Sequence, residues 1–271
     1  MFEPLLIAIA LTGGFAAGLY DLKTTNVPDK LCIFMIAIGL ILNFLTGAFT
    51  KDFSYFIDSL LFGGLFLGFG LLMYYMGQWG GGDGELLIAM GVLLPNVSFV
   101  KTYFPFAISF FINSFFIGAI WSIAFSFYFV YKNPGLSKKF FESFKNPVTF
   151  SIALTPLILS VISLNFNFLF SLLFLLVFIL FVFYKFSKII ELAFYRKIPV
   201  GQLKVDDMLG EDIPRLKLYK KHIKGLTKGQ VEKIKKAKRY VVIREGIRYG
   251  IVFPLTLLFT LLFGDLFLFL I

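Results

Sequence analysis

Two aspartates stand where apolar runs end. Asp21 follows Tyr20 in Tyr20-Asp21-Leu22-Lys23, and Asp83 lies in Gly80-Gly81-Gly82-Asp83-Gly84-Glu85. Two carboxylates and one water suffice to hydrolyse a peptide bond. One carboxylate takes a proton from the water as it attacks the carbonyl carbon. The other, protonated, donates to the developing oxyanion and then to the leaving amine. A close pair of carboxylates cannot both ionise cheaply, so it shares a proton and titrates as a unit. A bilayer boundary raises the cost of charge further, which makes acids at that depth functional candidates. Gly80, Gly82 and Gly84 flank Asp83 with no side chain to block an extended substrate backbone. The plainer reading of either acid alone is an interfacial residue at a helix end. Asp58 and Asp265, near other span ends, carry that plainer reading: both are expected to reach headgroup water.

Composition removes competing chemistries. His222 is the only histidine and Cys32 the only cysteine in 271 residues. Most metal sites are thereby excluded, as is every nucleophile–histidine arrangement that does not run through His222. His222 sits among Lys220, Lys221 and Lys224 and reads as a solvated surface residue. The glycine cluster is no phosphate-binding loop, because no Gly-Lys-Ser/Thr follows it. Hydrophobic residues make up 58% and charged residues 15%, where a soluble domain carries about 25% charged. The chain therefore reads as a polytopic membrane protein whose function rests mainly on carboxylates.

The elements that must position the two acids are the long uncharged runs. A helix needs about 20 apolar residues to cross the hydrocarbon core. Candidate spans are Pro4 to Tyr20, Leu31 to Phe49, Phe53 to Met76, Glu85 to Val100 and Phe104 to Tyr131. Val148 to Tyr184 has 37 residues without a charge, which suits two short spans folded at Asn165-Phe166-Asn167. Tyr249 to Ile271 is the last. No basic n-region precedes the first run, so no cleavable signal peptide is expected. With eight spans, 24 of the 26 Lys and Arg fall on one side. Cytoplasmic loops are enriched in these residues, so that side is cytoplasmic and the N-terminus is expected outside. Two crossings separate Asp21 from Asp83, which puts both at the cytoplasmic face.

Residues 185–248 differ from the rest. They hold 18 basic and 7 acidic residues, so the overall basicity is local to this segment. Thr227-x-x-Gln230 reads as a capping box opening a helix through Ala237, and Tyr240 to Ile243 reads as a strand. A small cytoplasmic α+β subdomain is expected. No aromatic-interleaved recognition motif accompanies the charge, so nucleic acid is not an expected partner, and anionic membrane lipid explains the basic face more simply.

In these motifs the chain resembles the archaeal preflagellin and prepilin peptidases, type IV prepilin peptidase-like GxGD aspartic membrane proteases. Asp21-Leu22-Lys23 with Val27-Pro28 is similar to that family's first-aspartate loop. Gly80-x-Gly82-Asp83 running into Leu86-Leu87-Ile88-Ala89, with Leu94-Pro95 beyond, is similar to its second. Phe104-Pro105, Asn113 and the closing segment Pro254 to Leu270, with Gly264-Asp265, fit as well. The resemblance covers about half of the chain. It implies that Asp21 and Asp83 are the catalytic pair and that no metal or cofactor takes part. It also implies that archaellin or type IV pilin-like precursors are cut at the cytoplasmic membrane face, just before their hydrophobic helix.

The expected organisation is a membrane catalytic core over 1–131, a basic cytoplasmic loop over 132–147, an inserted apolar helical hairpin over 148–184, a basic cytoplasmic subdomain over 185–248 and a last transmembrane helix over 249–271. The first and last of these form a six-helix core. Asp29, Glu85, Asp206 and Asp207 are candidate contacts for basic residues of a substrate leader. Presenilin and signal peptide peptidase relatives also pair Tyr-Asp with Gly-x-Gly-Asp. They carry a Pro-Ala-Leu motif, and this chain has none. A transporter using intramembrane acids is the non-enzymatic alternative; its acids belong in mid-span. The bacterial relatives that also methylate the new N-terminus have paired Cys-x-x-Cys motifs, so proteolysis without methyl transfer is expected.

The charge split yields a topology that labelling checks. An impermeant thiol reagent on intact cells should miss a cysteine introduced near Lys221 and reach one at Asn167. Outside labelling near Lys221 would overturn the arrangement.

Overall fold

Within an apolar layer each backbone amide must find its partner inside its own segment, so long uncharged runs fold as helices. The computed structural model describes residues 2–205, 207–219, 225–244 and 246–266. Asp206, His222 with its lysine neighbours, and the end of the closing segment lie outside the described residues. Ten α-helices are present among the described residues: α1 Glu3–Thr24, α2 Asp29–Thr50, α3 Ser54–Tyr75, α4 Gly81–Leu93, α5 Phe106–Lys132, α6 Pro134–Ser143, α7 Pro147–Ser163, α8 Phe168–Ala193, α9 Lys228–Ala237 and α10 Val252–Phe263. Five stretches are long and apolar enough to cross a membrane: α1, α2, α3, α5 and Phe168–Glu191 of α8. A sixth is available if Gly135–Ser143 and Pro147–Ser163, bent by 76°, make one span. The chain is an α-helical polytopic membrane protein.

It divides into two units, one of residues 1–123 with 246–271, the other of residues 124–245. In the first, α4 lies against α1, α2, α3 and α10. It has 13 residues and spans about 20 Å, well short of the roughly 30 Å core. The apolar run Glu85 to Val100 is longer, but the helix stops at Leu93 because Pro95 follows and the residue before a proline leaves the helical region. A helix apolar on all sides must be buried in protein, and Leu86, Leu87, Ala89, Met90 and Leu93 are fully buried.

Lipid tails are as apolar as leucine, so little hydrophobic force draws these helices together. Close packing and buried polar contacts take its place. Gly70 of α3 faces Gly84 of α4 so closely that a methyl on Gly70 would sit 3.1 Å from the Gly84 Cα. Further along, a methyl on Gly91 would meet the Phe66 ring at 2.4 Å. At the far end of α4, the Val92 carbonyl lacks an intrahelical partner, as the last carbonyls of any helix do. Buried Asn43 of α2 donates to it at 2.9 Å and buried Ser59 of α3 at 2.6 Å. Three helices are thus fastened at one oxygen.

Asp58 and Asp265 are held by protein donors, and Asp265, being buried, does not reach the headgroup water expected of it. Asp58 accepts from Asn96 Nδ2 at 2.8 Å, alongside Glu3, which accepts from Ser98 N at 2.7 Å and Ser98 Oγ at 2.8 Å. Asp265 is buried and accepts from the Tyr103 amide. Asn113 of α5 donates to Thr260 Oγ1 at 3.0 Å and to the Gly264 carbonyl at 2.9 Å, and accepts from Leu266 N. These acids tie loops and helix ends to one another.

In the second unit, α7 and α8 form a hairpin broken at 164–167, with Ser160 Oγ donating to the Ser171 carbonyl at 2.9 Å. Beyond it β1 Tyr195–Pro199, β2 Met208–Leu209 and β3 Tyr240–Arg244 form an antiparallel sheet in the order β1-β3-β2. The period-2 pattern places Val241 and Ile243 on one face, where they join Ile198, Leu209, Leu226, Val231 and Ile234 in a separate core. The capping box forms as its sequence predicts: Thr227 N donates to Gln230 Oε1 at 2.9 Å at the start of α9. Glu211 pairs with Lys238 at 3.0 Å and accepts from Val242 N.

The shared Val92 carbonyl makes a stability prediction. Asn43→Leu or Ser59→Ala alone leaves one donor in place. The double variant orphans a buried carbonyl, at a cost of about 1–3 kcal/mol. Its unfolding midpoint in detergent should fall by more than the two single losses combined; simple additivity would contradict the arrangement.

Candidate active site

Asp21 lies within the last turn of α1, which continues to Thr24, four residues past the apolar run. The run ends where charges begin; the helix ends where Thr25 turns left-handed at φ 59° and its amide closes on the Asp21 carbonyl at 2.8 Å. The side chain is only 6% exposed. Its Oδ2 accepts from the Gly250 amide at 3.0 Å. The Arg248 guanidinium acts on it electrostatically and donates to the Leu22 carbonyl, one of the partnerless carbonyls at the end of α1.

Asp83 occupies the first turn of α4, where the helix dipole favours negative charge. Its Oδ2 accepts from the Gly80 amide at 3.2 Å. This fixes the carboxylate at the mouth of the helix. Each aspartate therefore has one oxygen anchored to a backbone amide. The other oxygen of each accepts no hydrogen bond from protein among the described residues.

The fold brings the two together. Val27, 3% exposed, packs against both sides of the pair. A methyl on Gly82, the neighbour of Asp83, would sit 2.6 Å from Val27 Cβ. A methyl on Gly250, the partner of Asp21, would sit 3.3 Å from Val27 Cγ2 and 3.2 Å from the Asp21 Cβ. The Asp21 charge acts on Asp83 directly.

The glycines divide by task. Gly82 and Gly84 are taken up in packing against Val27 and Gly70, whereas Gly81 faces open space and Gly80 meets only Asp83 Oδ2 at 3.6 Å. Gly80 and Gly81 are therefore the glycines of this loop left open by the packing. Asp29 is exposed in the first turn of α2. Glu85 interacts electrostatically with Asp29, and its Oε2 is buried with no hydrogen-bond partner among the described residues. Asp207 lies in the second unit, where its Oδ2 accepts from Lys204 N at 2.7 Å in a tight turn. Asp206 is outside the described residues. Among the described residues no three His, Cys, Asp or Glu side chains converge as a metal-binding set.

Aromatic residues brace the glycine loop. Trp79 packs on Tyr249 with ring centroids 5.4 Å apart, and edge-on to Phe69 and Phe253. Tyr249 donates to the Ser114 carbonyl at 3.0 Å, over Gly118, where any side chain would collide with the phenol. Trp121 Nε1 donates to the Arg248 carbonyl at 2.9 Å. The segment Arg248-Tyr249-Gly250 is the part that the sequence reading missed, having taken Arg248 as subdomain charge and Tyr249 as the start of a span. The signal was a glycine between an arginine and an apolar run.

Comparison with known proteins bears on the stretch that carries both aspartates. Residues 8–123 match the type IV leader peptidase family. A prepilin peptidase, EppA, of Methanothermobacter thermautotrophicus is 29% identical over 179 residues, 61% of this chain and 46% of that protein. A preflagellin peptidase of Methanococcus voltae is 32% identical over 138 residues, 46% of this chain and 57% of that protein. One from Methanocaldococcus jannaschii is 33% identical over 90 residues, 32% of this chain and 37% of that protein. The chain thus spans less than two thirds of each of these curated relatives. The resemblance read from Asp21 and from Gly80 to Asp83 is borne out: the stretch that carries both aspartates is the stretch that matches the type IV leader peptidases.

Proposed function

We propose that the chain is a membrane aspartic endopeptidase that removes the short leader of archaellin or type IV pilin-like precursors at the cytoplasmic membrane face. The observation that carries this reading is the meeting of Asp21 and Asp83. Sixty-two positions apart in sequence, they converge on Val27, each with one oxygen anchored and one left for chemistry. One carboxylate activates water while the protonated one donates to the oxyanion and then to the leaving amine. The anchored oxygens hold the carboxylates in place, so little reorganisation is needed as charge moves.

The substrate backbone enters along Gly80 and Gly81. Asp29 and Glu85 face basic leader residues; the unpartnered Glu85 oxygen supports this, because a buried acceptor gains most from a cationic donor. Asp206 and Asp207 are proposed to meet leader charge in the same way. Eight spans with an outside N-terminus, the short α4 and the residues on to Val100 counted together as one of them, put the site at the cytoplasmic face, with 148–184 as an inserted hairpin and 185–248 as a cytoplasmic subdomain. The basic residues of that subdomain lie against anionic lipid.

Processing of a precursor panel by membranes containing the protein tests the reading. Asp21→Asn and Asp83→Asn should each bring cleavage near background, a loss of about 100- to 10,000-fold. The double variant should be no worse, since residues that act as a unit are not additive. Asp58→Asn should keep most of the activity, and chelators should not matter. Processing at near wild-type rate by either single variant would reject the pair and favour transport.

A further inference from the structure

The pair of aspartates is assembled from three separate pieces of chain, and only two of them carry an aspartate. The third is Arg248-Tyr249-Gly250. It is held from both sides: Trp121 of α5 grips the Arg248 carbonyl, and Arg248 itself grips the Leu22 carbonyl at the end of α1. Tyr249 is seated over Gly118 and against Trp79, one residue before the Asp83 loop. What this segment presents to Asp21 is a backbone amide, at 3.0 Å, and a bare α-carbon. Gly250 is not glycine for conformational reasons, because its backbone is not left-handed. A methyl there would press on Asp21 Cβ and Oδ2 at 3.2 Å and on Val27 Cγ2 at 3.3 Å.

Val27 fills the space between that α-carbon and Gly82. It is buried, its Cγ2 lies 3.3 Å from where a Gly250 methyl would stand, and its Cβ lies 2.6 Å from where a Gly82 methyl would stand. Gly82 is again free of any left-handed turn. Two glycines, one the anchor of Asp21 and the other the neighbour of Asp83, thus flank one branched side chain. A branched side chain has one strongly preferred rotamer and makes a stiff spacer.

We propose that Gly250 and Val27 are positioning residues of the aspartate pair: the Gly250 amide fixes the Asp21 carboxylate, and Val27, gripped between Gly82 and Gly250, sets its separation from Asp83. This inference rests on the peptidase reading above. A displacement of about 1 Å in a reacting group costs on the order of 100-fold in rate, so the spacer acts on the chemical step and not on substrate affinity.

The test uses the full chain, reconstituted in lipid, cleaving a pilin-like precursor, with rates normalised to monodisperse protein. Gly250→Ala should lower kcat by about 10- to 100-fold and leave KM within about twofold, the pattern of an interaction made only in the transition state. Val27→Ala should also lower kcat, by loosening the gap. Combining them removes the Cγ2 that the new methyl meets at 3.3 Å but leaves Asp21 Cβ and Oδ2 at 3.2 Å, so the double variant should lose less than the product of the two single losses. Full kcat in either single variant, or losses that simply multiply in the double, would overturn the positioning role. So would a loss confined to folded yield. Asp21→Asn separates the two levels: activity in that variant rejects the peptidase reading with everything built on it. A dead Asp21→Asn beside a fully active Gly250→Ala rejects the positioning role alone.

Discussion

A helix too short to cross an apolar layer has to be carried by its neighbours, and α4 is such a helix. At 13 residues it leaves backbone groups at both ends without intrahelical partners. Its far end is satisfied by Asn43 and Ser59 at the Val92 carbonyl. Its near end is satisfied by its own first-turn acid, since Asp83 turns back to the Gly80 amide. The bond that ends the helix is therefore also the bond that aims the carboxylate. Glycine contacts with α3 fix how deep α4 sits, and that depth fixes where Asp83 emerges. Asp21 has no such freedom of placement: it rides on a full-length span and is adjusted from outside by Gly250.

The site is thus less local than its motifs. The stretch that matches the type IV leader peptidases, residues 8–123, supplies both acids and the spacer. The amide on Asp21 and the aromatic brace behind the glycine loop come from 249–253, at the opposite end of the chain. Between these pieces in sequence comes the unit of residues 124–245, with its own sheet and its own apolar core. The Trp121 bond to the Arg248 carbonyl joins residues on either side of that unit in sequence.

The two aspartates, most helices and the capping box of α9 were legible because each has a short-range signature: a charge at the end of an apolar run, a run of sufficient length, a Thr and a Gln three apart. The end of α4 at Leu93 was legible in part, since Pro95 announces it, although hydropathy runs on to Val100. Gly82 and Gly84 were read as open to substrate because a glycine cluster looks the same whether it faces a ligand or another helix. Only the packing against Val27 and Gly70 separates the cases. Asp58 and Asp265 were read as interfacial because an acid near a span end carries no sign of the loop amide that will reach it. Gly250 showed only as a glycine between an arginine and an apolar run, and its role was hidden because its partner lies 229 positions away.

The chain has two tryptophans, and both attach to the segment that holds Asp21. Trp79 lies on the Tyr249 ring, and Trp121 is bonded to the Arg248 carbonyl. One sits on the loop that leads to Asp83 and the other on α5, so each reports on a different contact of the segment that anchors Asp21. Intrinsic emission, quenched or shifted by a neighbouring phenol, a hydrogen bond or a nearby charge, then becomes an optical readout of occupancy. The protein carries its own pair of reporters, and ligand arrival can be timed on the unmodified molecule without attaching a dye.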